Sequence, residues 1–140
     1  MDDPHDLARF VEAQRDTYAQ ALSELRAGAK RSHWMWFVFP QVAGLGLSPT
    51  ARRYALASLD AARAYLAHPL LGGRLRACTD AVNAVPGRTA NAVFGTPDDM
   101  KFRSSMTLFA RADPAEARFR EALARYYGGA EDPRTVAILG

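Results

Sequence analysis

At 140 residues, with 18 lysines and arginines against 15 acids and a formal net charge of +3, the chain is modestly basic, 49% hydrophobic and 24% charged. Such a length suits one domain that buries roughly two-thirds of its accessible surface, and the composition excludes the disordered and low-complexity classes. No apolar run approaches the roughly 18 residues of a membrane span, so no membrane association is expected. The acidic start, Met1-Asp2-Asp3-Pro4-His5-Asp6, is unlike a signal peptide, and the single Cys78 can form no internal disulfide; cytoplasmic residence is the expectation.

In chain order, the apolar spacing predicts helices throughout. Leu7, Phe10, Val11, Tyr18, Leu22 and Leu25 predict a helix near 6–26, with Gly28 as its stop. Next, Lys30 to Gln41 holds both tryptophans, and its apolar run from Trp34 to Phe39 leaves no polar face. A lone strand there would leave buried backbone groups unpaired, so a helical turn at 32–39, almost wholly surrounded by the rest of the protein, is predicted. Further helices are expected at 49–67 with a break near Ser58 to Asp60, at 70–85, in a short turn at 90–94, at 97–111, at 114–127 and from 133. Ser48-Pro49, Thr96-Pro97, Asp113-Pro114 and Asp132-Pro133 each place a capping side chain before a proline suited to the first helical position. Gly87, Gly95 and Gly128 stand, like Gly28, where helices should stop. The expected fold class is all-α: one compact domain over 1–140, with about six to eight helices around a buried aromatic central helix.

Three motifs carry a resemblance. They are Lys30 to Gln41 with the following Gly44-Leu45-Gly46-Leu47-Ser48, the His68-Pro69-Leu70-Leu71-Gly72 turn, and the stretch from Phe94-Gly95-Thr96-Pro97-Asp98-Asp99-Met100-Lys101 through Phe102-Arg103-Ser104-Ser105-Met106-Thr107-Leu108-Phe109. In this order they resemble the bacterial domain-of-unknown-function 1810 family over nearly the whole chain. The resemblance implies a compact multihelical domain with buried central helices and no established activity. Some members carry the label calpastatin; that inhibitor is a disordered repeat protein, whereas this chain has the apolar pattern of a packed one.

Of the 18 basic residues only Lys30 and Lys101 are lysine. Where a positive charge alone is wanted arginine has been accepted, so a surviving lysine is read as a place for a compact, deprotonatable ammonium; the competing reading is chance. Lys30, His33 and Gln41 flank rings that can stack on a planar ligand, and Trp34 and Trp36 cannot both face one way on a helix, so at most one lines a pocket. The competing reading of this segment is core packing with a satisfied histidine. On the helix opened by Thr96-Pro97, spacing sets Asp98, Lys101 and Ser105 along one side, with Ser104 adjacent and Asp99 in the first turn. Here the competing reading has both acids complementing the helix N-terminus, Asp98 paired with Lys101 and the serines solvated, although their apolar surroundings favour some burial.

His68 is read as a cap on the preceding helix and Cys78 as a small buried hydrophobe. Three scattered histidines and one cysteine offer no zinc spacing, and Gly44-Leu45-Gly46 lacks the rest of a phosphate loop; no metal and no cofactor are expected.

Two functions follow. In the first, the two motifs converge on a pocket for a planar, anionic small molecule such as a nucleotide or an ADP-ribose-like compound. Lys30 or Lys101, if desolvated, would be base or Schiff-base nucleophile and Asp98 the acid or orienter, with His33, Trp34, Trp36, Gln41, Asp99, Ser104 and Ser105 contacting the ligand. This picture is loosely similar to the NAD- and ADP-ribose-processing family of small bacterial glycosidases, without a motif-level match. In the second, the chain is a non-catalytic structural or protein-interaction module. Lys30-Arg31 and Arg52-Arg53 form no basic stripe with exposed aromatics, so nucleic acid is not an expected partner. A monomer or weak homodimer is expected.

Overall fold

The computed structural model describes residues 2–140 and is all-helical apart from one isolated parallel bridge between Val42 and Leu56. Ten helices are present among the described residues: α1 (Ala8–Gln14), α2 (Tyr18–Arg26), α3 (Met35–Val38), α4 (Pro49–Arg53), α5 (Leu59–Ala67), α6 (Leu71–Asn83), α7 (Ala90–Phe94), α8 (Asp98–Ala112), α9 (Ala117–Tyr127) and α10 (Pro133–Leu139). The number exceeds the expected six to eight because the helix predicted over 6–26 is broken and the break expected within 49–67, which falls at 54–58, separates two helices. The first breaks after Gln14, whose buried amide donates to the Phe37 carbonyl (2.6 Å) and the Tyr65 hydroxyl (3.0 Å), and resumes at Tyr18. The second breaks between α4 and α5, where Leu56 is drawn into extended pairing: its N–H donates to the Gln41 carbonyl at 2.9 Å and its carbonyl accepts from Ala43 N–H at 2.8 Å.

Side-chain caps set four of the ten helix starts among the described residues. Ser48 accepts from Ala51 N–H and Asp132 from Thr135 N–H, each before a proline as expected. Ser58 and Thr89 cap α5 and α7 in the same way. Thr96 and Asp113 do not cap: α8 starts after Pro97, and residues 113–116 form a turn in which Glu116 N–H donates to the Asp113 carbonyl before α9 begins. His68 caps the end of α5 as expected, its backbone N–H donating to the Ala64 and Tyr65 carbonyls at 3.0 and 3.2 Å, and its Nδ1 also accepts from Leu70 and Leu71 N–H at 3.1 and 3.2 Å at the start of α6. Gly28, Gly87, Gly95 and Gly128 all take positive φ, the conformation that ends a helix cheaply only at glycine.

The central helix is α8, not the aromatic turn at 34–39. Between Arg103 and Arg111 it carries no charge, Ser104 through Ala110 are all buried, and it packs against α5, α7, α9 and α10. The four-residue α3 is too short for others to pack around: Met35 and Val38 are buried, but Trp36 and Phe37 are only half-buried. Phe102 of α8 anchors an aromatic cluster, with ring centroids 4.6 Å from Phe94, 5.0 Å from Phe39 and 6.4 Å from both Tyr126 and Tyr127. None of the described helices is long and apolar enough to cross a membrane.

Candidate functional site

The site is built on a carboxylate that sequence spacing does not single out. Glu24 sits on the inward face of α2 between Ala21 and Leu25, and it is buried. Beyond α2 the chain reverses at Gly28, and the returning segment wraps the carboxylate. Oε1 accepts from Arg31 N–H (2.8 Å), Ser32 N–H (3.0 Å) and the Trp34 indole N–H (3.0 Å), while Oε2 accepts from the Ser32 hydroxyl (2.7 Å) and the Gln20 amide (3.1 Å). Burial alone would raise the Glu24 pKa, but these donors outweigh it and pull the carboxyl down to about 2. The sequence signal that could have found it is an acid on an otherwise small and apolar helix face.

This wrapping aims Lys30. Its backbone N–H donates to the Val93 carbonyl of α7 at 2.7 Å, and its Nζ donates to the Ser32 carbonyl at 2.6 Å and reaches Asp98 Oδ2 at 2.8 Å. Asp98 opens α8, where a negative charge complements the helix N-terminus. Its other oxygen, Oδ1, lies 3.6 Å from Lys101 Nζ one turn along. Both lysines of the chain thus share one carboxylate. Each also lies beside a tryptophan: Lys30 Nζ is 5.0 Å from the centroid of a Trp34 ring, and Lys101 Nζ is 4.7 Å from that of a Trp36 ring.

The two halves differ in exposure. The Lys30 side chain is 7% exposed, against 19% for Asp98 and 24% for Lys101. Trp34 is fully buried with its N–H spent on Glu24, whereas Trp36 is half-buried, as two indoles on one short helix require. His33 and Met100 are exposed. Asp99 Oδ2 lies 3.4 Å from the Asn91 amide, which also donates to Thr96 Oγ1 at 2.8 Å, and the Asp99 carbonyl accepts from the Tyr127 hydroxyl.

The two predicted motifs therefore meet through Lys30, Asp98 and Lys101, with both indoles alongside. Other residues named from sequence go elsewhere. Ser104 and Ser105 are buried in α8, and Ser105 Oγ has no hydrogen-bond partner. Gln41 is half-buried and its carbonyl serves the extended pairing with Leu56. Burial pushes the Cys78 thiol up to about 12, leaving it a small hydrophobe with no thiolate at neutral pH. Among the described residues, no group of three or more His, Cys, Asp or Glu side chains is placed to hold a metal ion.

Against curated proteins the chain has no match. Among solved structures it is similar to the crystal structure of the conserved hypothetical protein Rv1873 from Mycobacterium tuberculosis, with 60% sequence identity, 98% of each chain covered and a TM-score of 0.97. The family described as protein of unknown function (DUF1810) matches residues 4–139, and the chain belongs to that family.

Proposed function

We propose that the face formed by Trp36, Asp98 and Lys101, together with the exposed His33 and with Lys30 beneath it, binds a planar, anionic small molecule such as a nucleotide or an ADP-ribose-like compound. One observation carries this reading: in a chain whose other basic residues are all arginine, the two lysines converge on one carboxylate, each against one of the two tryptophans. Lys101, held less closely by Asp98 than Lys30 is, presents its ammonium beside the half-exposed indole of Trp36. An anionic group takes up the hydrogen bonds that Lys101, at 3.6 Å from Asp98, does not fully spend on it. The planar part stacks on Trp36. Ion-paired lysines donate hydrogen bonds rather than attack, so this reading gives Lys30, Lys101 and Asp98 roles in binding and orientation in place of the base, nucleophile and acid expected from sequence.

A titration with ADP-ribose and AMP, read by thermal shift and tryptophan fluorescence, tests this. Lys101→Met and Trp36→Ala are each expected to weaken binding about tenfold, the loss of one charge-assisted or stacking contact. Unchanged affinity in both variants, or no saturable binding of either probe, overturns the reading. The alternative of a non-catalytic structural module is favoured by the burial of Lys30 and its contacts with the Ser32 carbonyl and Asp98. On that alternative Lys30→Met lowers stability and no probe binds.

A further inference from the structure

A different region carries a second site. Between α5, α8, α9 and the turn that follows α9 lies a cavity of about 650 Å³. Its walls include Leu59, Ala110 and Leu123, and its polar groups are Arg111, Arg120 and Glu131. This is the size and make-up of a small-molecule site, an apolar concavity with a few charged groups at its edge.

The wall formed by the turn is fixed. Arg103 donates from Nε to the Ala130 carbonyl (3.0 Å) and from Nη2 to the Glu131 carbonyl (2.9 Å), holding the backbone of the turn. Arg111 makes a two-pronged ion pair with the Glu131 side chain, Nε to Oε2 at 2.8 Å and Nη2 to Oε1 at 2.9 Å. Gly129, which also lines the cavity, has no atom within 4 Å of the place a Cβ would take. The cavity is open there without any movement of the chain.

The charges do not balance. Glu131 is spent on Arg111, whereas Arg120, exposed on α9, takes part in no ion pair or hydrogen bond among the described residues. A free guanidinium at the edge of an apolar hollow matches a ligand with one anionic head and an apolar body. A carboxylate fits best, because its two oxygens meet the guanidinium fork while the hydrocarbon part lies against half-buried Leu59, over a floor that includes the buried Ala110 and Leu123. A polyanionic nucleotide would place further charges against apolar walls. We infer that this cavity binds a small amphipathic carboxylate, of the medium-chain or arylalkyl type, held by Arg120.

The test is calorimetric titration of the full chain with octanoate and with 4-phenylbutyrate. One saturable site is expected for at least one of them. Arg120→Gln is expected to weaken it about tenfold or more, Arg120→Lys less, and Leu59→Trp to block it by filling the hollow. Arg120 is exposed, so its variants should keep the parent melting temperature. Lys101→Met should leave carboxylate binding unchanged. Absence of saturable binding of both probes, or equal affinity in the parent and Arg120→Gln, overturns the assignment. So does loss of binding in Lys101→Met, which would move the carboxylate to the lysine cluster.

Discussion

Glu24 shows at the residue scale what one buried charge can organise. Its five hydrogen bonds come from one helix neighbour and from Arg31, Ser32 and Trp34, so this carboxylate sets the path of the segment that carries Lys30. Its pKa is lowered from 4.5 to about 2, so the folded state binds fewer protons here than the unfolded chain. The stabilisation is therefore complete above about pH 4.5 and is lost as pH falls through 2; a shift of this size corresponds to about 3 kcal/mol. Glu24→Gln presents an amide to groups that are themselves donors, and it should cost about 2–4 kcal/mol in urea unfolding at pH 7. The variant should also lose much of the parent's decline in stability between pH 4.5 and 2; an equally steep decline in both would overturn the role given to this group. The pairing of Asp98 with Lys101 could be read from helical spacing alone. Lys30's pairing with Asp98 could not, because it depends on a chain reversal, and Glu24 escaped notice because most of its partners are main-chain N–H groups that no side-chain pattern reveals.

Among the elements, α5 and α6 meet more closely than side chains allow. A Cβ on Gly72 would lie 2.1 Å from the Leu66 carbonyl oxygen and 2.9 Å from its carbon, both backbone atoms that cannot swing away. The neighbouring Gly73 has nothing within 4 Å of the same position. Two adjacent glycines of one helix thus predict opposite outcomes. Gly72→Ala should destabilise by about 1–3 kcal/mol through forced separation of the helices, and Gly73→Ala should stabilise by about 0.5–1 kcal/mol through helix propensity. Denaturant midpoints of the pair decide it; a stabilising Gly72→Ala would mean that the two helices separate freely. The existence and type of nearly every helix were readable from apolar period and glycine stops. Boundaries were less so, because a capping residue before proline marks where a helix can start. At Asp113-Pro114 the start is deferred to Ala117, after a turn whose Glu116 is ion-paired with Arg76 and Arg118.

Across the whole molecule, one buried cluster runs from Leu7 to Leu123 and includes residues of α1 to α9 apart from α4. Phe102 lies where α7, α8 and α9 and the residue after α3 meet, so its ring joins distant parts of the chain. Phe102→Ala should cost about 3–5 kcal/mol. Near- and far-ultraviolet circular dichroism should still follow one coincident transition in both parent and variant, since a single core melts as a unit. A second, separate transition in the parent would instead divide the chain into independent parts.

The aromatic turn has one more consequence, which belongs to the chain before it folds. A helix as short as α3 has no stability of its own, so during synthesis and refolding the run from Trp34 to Phe39 is extended and bare. Uncharged, aromatic and free of proline, it is the kind of segment that zips strand to strand between molecules. Lys30 and Arg31 on one side and Pro40 on the other bracket it with charge and with a residue that cannot join a ladder. The same lysine that pairs with Asp98 in the native state is thus also one of the two charges that precede this run in the unfolded chain.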